Sequence, residues 1–260
     1  MRRRILSTFL ASAIPLVVSP GVHAADLPVK APPPVAAPPA WTGFYVGANA
    51  GYGAGIGAAG LAPLGPGFVG TFASGFVPSA ASVKSHGYPL GEQIGYNYQL
   101  GQFVLGAEAD FQYALIRGGS TITEFPIGIG PPTGVTNVQQ TMDWFATARA
   151  RAGILVSAPL LVYATGGFAL GRVEDSASFF FPGTSQYYAG SGATTKSGWT
   201  AGGGVEWAVA ARWTVKGEYL YYDLGDAKVT IQPVSGITAT ATADFPINGS
   251  LIRAGLNYHF

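Results

Sequence analysis

At the carboxyl end of the chain, Ile252, Ala254, Leu256, Tyr258 and Phe260 alternate with Arg253, Gly255, Asn257 and His259. A period of two marks a strand, because successive side chains leave it on opposite faces. The same alternation recurs in seven earlier segments: 42–53, 87–98, 102–114, 141–156, 160–173, 198–210 and 212–224, with 249–260 as the last strand. Three of the connections are turns of a few residues. The other four (54–86, 115–140, 174–197 and 225–248) are long, and short and long alternate. An all-β, eight-stranded antiparallel up-and-down barrel accounts for this, with the long connections as irregular loops at one end.

The sorting of side chains says what surrounds such a barrel. Taking alternate residues, Phe44, Val46, Ala48, Ala50 and Tyr52, then Ile94, Tyr96 and Tyr98, then Phe103, Leu105, Ala107, Ala109 and Phe111 share one face. The later strands continue it through 146–154, 162–170, 199–207 and 213–221. Glu92 is the one acid on that side. The opposite face carries Asn49, Gln93, Asn97, Gln112 and Asn257 with Glu108, Asp110, Arg149, Arg151, Glu206, Lys216, Glu218 and Arg253. Charged residues make up only 10% of the chain, so eight of them on one face is a pattern and not an accident. A cation facing lipid near the membrane midplane costs about 2–4 kcal/mol. Apolar-out and charged-in therefore predicts a transmembrane barrel. Aromatic girdles are expected at both interfaces: Tyr98, Phe103, Trp207, Trp213, Tyr258 and Phe260 near the short turns, Trp144, Trp199, Tyr219 and Tyr221 toward the long loops.

Eight strands enclose a space only wide enough for side chains, whereas a water-filled porin needs about 16 strands. Four inward cations against four inward anions thus predict a salt-bridged plug and no wide pore, since buried charges persist only when paired. The alternative is a narrow porin-like channel or small-solute conduit through the same lumen. Short turns lie in the periplasm in such barrels, which would place both termini there.

The amino-terminal end fits an exported chain. Arg2, Arg3 and Arg4 precede an apolar stretch and the small-residue site Val22-His23-Ala24, so 1–24 reads as a secretory signal peptide. Its three arginines take the formal charge from +1 to −2, and no basic footprint for nucleic acid remains. Residues 25–40 are proline-rich and read as a periplasmic spacer. No other stretch approaches the roughly 18 apolar residues of a spanning helix. There is no cysteine, so neither disulfide nor thiolate chemistry is available.

The chemistry-bearing motifs are weak. Outside the signal, histidine occurs only at 86 and 259, and Ser85 beside His86 would leave a strand on the opposite face. Gly55, Gly57 and Gly60 have dinucleotide-loop spacing, but no helix can follow through the Gly- and Pro-rich residues after them. Glu108 and Asp110 share a side at metal-ligand spacing, yet the inward cations make salt bridges the better reading. No catalytic residue, cofactor or metal is expected, and the protein is read as not an enzyme. Phe68, Phe72, Phe76, 179–181 and Tyr187-Tyr188 make the long connections unusually apolar. Folding over the barrel mouth and serving as an exposed interaction patch are equally compatible with them.

The segments 41–52 (WTGFYVGANAGY), 93–98 (QIGYNY), 163–169 (YATGGFA) and 215–221 (VKGEYLY) resemble the small outer-membrane β-barrel proteins of alphaproteobacteria. These outer membrane immunogenic proteins are related to the OmpA membrane domain, and the resemblance spans 41–260. It implies a surface-exposed barrel in the outer membrane of a Gram-negative bacterium, with roles in envelope integrity and in contacts with host or environmental ligands. Outer-membrane lipid and lipopolysaccharide are implied partners. In Arg253, Gly255, Tyr258 and Phe260 the last strand is similar to the signal read by the barrel assembly machinery. Some relatives are joined to peptidoglycan through a processed amino terminus, which would fall here on Ala25.

Overall fold

The structure, a computed structural model, describes residues 41–124 and 134–260. The expected signal, the spacer and Ala25 lie outside the described residues. Nine strands follow in order: β1 (Gly43–Pro63), β2 (Ala80–Gly87), β3 (Leu90–Leu100), β4 (Phe103–Glu124), β5 (Gly134–Ser157), β6 (Leu160–Phe181), β7 (Gln186–Ala210), β8 (Trp213–Ser235) and β9 (Ala241–His259). Pairing is antiparallel throughout, and β1 closes the sheet on β9. Strands β2 and β3 both pair with β1 and with β4, one above the other. They form a single stave broken at Tyr88-Pro89, where proline has no N–H to give the ladder. The barrel therefore has eight staves, as expected from the sequence.

The registers fix its tilt. Starting at Leu100 and stepping strand to strand through Phe103, Ile154, Val162, Val205, Gly217, Ala254 and Ala50, the row returns to β3 at Leu90, ten residues along. A stagger of that size tilts the strands, within the usual range of about 35–45°. The tight turns are 101–102, 158–159 and 211–212. Gly101 takes φ 62 in the first of them, a left-handed conformation that glycine adopts without steric cost.

The four long connections are mostly not loops. Strands continue to Pro63, Glu124, Phe181 and Ser235 and resume at Ala80, Gly134, Gln186 and Ala241, so the barrel rises well beyond the outer girdle. The expectation of irregular loops is corrected for a physical reason: the alternation persists there with its sign reversed. On β6, Ala177 and Phe179 are buried while Ser176 and Ser178 beside them are less so. Water surrounds this part, so the apolar residues turn inward. A 3-10 turn at Pro66–Phe68 and helix α1 (Val69–Ala73) cap the top. Phe68 is buried against Phe179 and Tyr188, with centroids 5.8 and 4.7 Å away. The loop aromatics thus fold over the mouth, although Phe180 and Tyr187 still face outward.

Candidate functional site: the layered lumen

Along the barrel axis the interior is built of four layers. At the turn end, buried Trp41 packs with Val104, Leu161 and Tyr163, and its indole N–H donates to Ala158 O at 3.2 Å. Above it lie the charges. Next comes an apolar layer including Phe145, Leu220, Tyr222 and Leu251. A second apolar core under the lid includes Leu61, Phe68, Phe179 and Phe245.

In the charged layer all eight predicted residues are buried and brought together. Cross-strand register supplies two of the pairs, Glu108 with Arg149 and Glu218 with Arg253. Arg149 also reaches Asp110 at 2.9 Å and Glu218 at 3.1 Å. Arg253 donates from Nε to Glu218 at 2.7 Å and places both terminal nitrogens 3.1 Å from the two oxygens of Asp110. Such forked guanidinium contacts are short and directional. Lys216 has Glu206 as its cross-strand neighbour but crosses the lumen to Glu108 instead. Glu206 takes Arg151 at 2.6 Å, Asn257 at 2.8 Å and the Thr214 hydroxyl. The two subclusters meet at Tyr45, whose hydroxyl donates to Glu108 at 2.6 Å and accepts from Arg151 at 3.0 Å.

Tyr45 and Tyr163 escape a count of charges and amides; their odd position in the alternation is the available signal. Each ring lies over a cross-strand glycine, Tyr45 beside Gly95 and Tyr163 beside Gly204. A Cβ at either glycine would run into the ring, so glycine is what admits the tyrosine. Tyr163 donates to Glu218 at 2.9 Å and takes the Arg151 guanidinium over its face at 4.0 Å. Thr147, donating to Asp110 at 2.6 Å, is a further member that a charge count misses. His259 stacks on Tyr45 at 5.2 Å.

The remaining predicted residues are dispersed. Arg253 and Gly255 face the lumen, whereas Tyr258 packs outside against Trp213 and Phe260, with centroids 5.1 and 5.3 Å away. Residues 55–60 are simply strand β1. Ser85 is half-buried and His86 exposed. Among the described residues no cluster of three or more His, Asp or Glu is placed to hold a metal. Chemically the arrangement holds eight buried charges in mutual contact.

Above the apolar layer one carboxylate stands apart. Asp175 on β6 is buried, and neither oxygen has a hydrogen-bond partner among the described residues. Burial pushes its pKa up to about 6, against the smaller opposing influence of Gln140 and Lys196.

A model of the outer membrane protein β-barrel domain matches residues 29–260. The 31 kDa outer-membrane immunogenic protein of Brucella melitensis biotype 1 is 35% identical over 98% of this chain and 100% of its own length. A 22 kDa outer membrane protein of Rhizobium leguminosarum bv. viciae is 29% identical over 73% of this chain and 67% of its own. Among solved structures, the outer membrane protein OprG of Pseudomonas aeruginosa aligns with a TM-score of 0.48 at 12% identity, covering 85% of this chain and 99% of that one.

Proposed function

Because this chain belongs to the outer membrane protein β-barrel domain family, we propose that it is a structural and surface-contact protein of the Gram-negative outer membrane whose lumen is closed. The observation that carries the reading is the stacking of two seals. The ion-pair layer around Glu108 lies under an apolar layer containing Phe145 and Leu220, with Phe68 capping the core above. Hydrophobic constrictions block ions by dewetting even where a side chain would geometrically allow passage. The short turns belong in the periplasm and the tall apolar-cored extension outside, where its outer face meets lipopolysaccharide and surface ligands. Both termini are then periplasmic. The role is mechanical and adhesive, and the Ser85–His86 pair gives no support to a catalytic one, since successive strand residues leave on opposite faces.

Planar-bilayer recording of the purified barrel tests this. A silent wild-type protein is the expected result, and steady single-channel openings would overturn the closed-lumen reading. Assembly is proposed to use the last strand. Replacing Phe260, an exposed terminal aromatic, by Ser is expected to lower the folded, heat-modifiable fraction in cells while leaving refolding in detergent intact.

A further inference from the structure

Between the two girdles, Glu92 is the one charged side chain on the outward face among the described residues. It sits on β3, two residues from Leu90 at that strand's outer end. Its cross-strand neighbours are Ala48 on one side and Phe111 on the other. No Lys, Arg or His among the described residues lies within salt-bridge distance of it. Directly beside it runs a groove of about 700 Å³. Gly47, Ala48 and Ala109 keep the floor low, Ile94, Phe111 and Leu256 rise around it, and Trp213 and Tyr258 complete the wall.

An ionised carboxylate in hydrocarbon is costly and needs a counter-charge. A second copy of the chain offers none, because among the described residues its outward face between the girdles carries no cation. The surrounding lipid is the source of counter-charge that this groove can reach. A bare phosphate is repelled by Glu92. An ammonium supplies both the charge and the N–H donors that a carboxylate takes.

We propose that this groove binds an amphiphile carrying a primary ammonium in its headgroup, with the ammonium on Glu92 and one acyl chain along Ala48, Ile94 and Ala109. The site rests on the outer-membrane reading but not on the closed lumen, so its failure and a conducting barrel are separate results.

Native mass spectrometry of the detergent-extracted full chain tests the proposal. It is equilibrated with dipalmitoyl phosphatidylethanolamine, with its N-trimethylated counterpart phosphatidylcholine, and with dipalmitoyl phosphatidic acid with or without Mg²⁺. Wild type is expected to retain the primary amine about tenfold better than the trimethylated lipid, the lower end for a hydrogen bond to a charged group. Glu92→Gln should erase that preference while the protein keeps its heat-modifiable migration. Ala109→Phe should displace both lipids by filling the groove. Equal retention of the two lipids by wild type, a preference that survives Glu92→Gln, a Mg²⁺-dependent preference for phosphatidic acid, or a protein dimer in place of a lipid adduct would each overturn the assignment.

Discussion

Lys216 Nζ lies 2.8 Å from both carboxylate oxygens of Glu108, although 108 residues separate them and their strands β8 and β4 are not neighbours. Glu108 also engages Arg149, Tyr45 and, more distantly, Arg151 at 3.8 Å and Arg253 at 3.7 Å. It is the hub that balances the lumen.

Removing the hub should leave buried cations uncompensated. Glu108→Ala is expected to cost about 3–5 kcal/mol, the usual penalty for breaking a buried pair from one side. The double variant Glu108→Leu with Lys216→Met should recover much of that loss, because both desolvation costs disappear together. Urea unfolding in lipid bilayers, followed by tryptophan fluorescence, measures both.

The apolar layer predicts a specific pattern of conductance. Arg149→Ala opens space in the charged layer only, so it should remain silent in planar bilayers. Combining it with Phe145→Ala and Leu220→Ala should produce openings, since both substituted side chains are buried members of the second seal. Openings from Arg149→Ala alone would show that the charges are the sole barrier.

Tyr45 depends on the absence of a side chain at Gly95. Gly95→Ala should displace the ring and loosen its bonds to Glu108 and Arg151, at about 1–3 kcal/mol, the usual cost of overpacking. Tyr45→Phe in the same background should then cost less than in wild type, which a double-mutant cycle reads directly.

The lid should respond locally. Phe68→Ala removes a buried ring, and substitutions of this kind cost about 3–5 kcal/mol where the site cannot collapse. Much of that cost is expected to fall on residues 64–79 rather than on the membrane-spanning part. Surface protease should cut that segment faster, while heat-modifiable migration stays unchanged.

Asp175 predicts a pH dependence. Its pKa is raised from an ordinary 3.8 to about 6 by burial, so the folded state holds the proton more tightly than the unfolded chain. That contribution to stability is complete below about pH 3.8 and is lost as pH rises through about 6. Asp175→Asn should flatten this part of the pH–stability profile and gain on wild type at pH 8. Unfolding midpoints measured between pH 4 and 8 check the sign.

Much of the barrel is legible along the chain because a strand exposes its alternation directly. One reading of odd and even positions separates Val46, Leu105 and Val215 from Glu108, Arg149 and Lys216, and the tight turns set the stave count. Segment 174–197 reads as a loop because there apolar Ala177 and Phe179 keep the period but take the inward face, which lower down holds the polar residues. Polarity is sorted against the surroundings, and the surroundings change from lipid to water partway up each strand. Tyr45 and Tyr163 were hidden for a related reason: an aromatic ring with a hydroxyl tip satisfies a lipid-facing and a lumen-facing position equally well.

Sequence by itself settled the run of alternating strands, the lipid-facing surface and the membership of the charged layer, since each depends on neighbours one or two positions away. Tertiary structure alone decided that Lys216 passes over its cross-strand partner Glu206 to reach Glu108, that Tyr45 joins the two halves, and that an apolar layer stands above the charges. Those outcomes depend on the ten-residue stagger of the closed sheet, which sets the height of every inward side chain against staves far away in the chain.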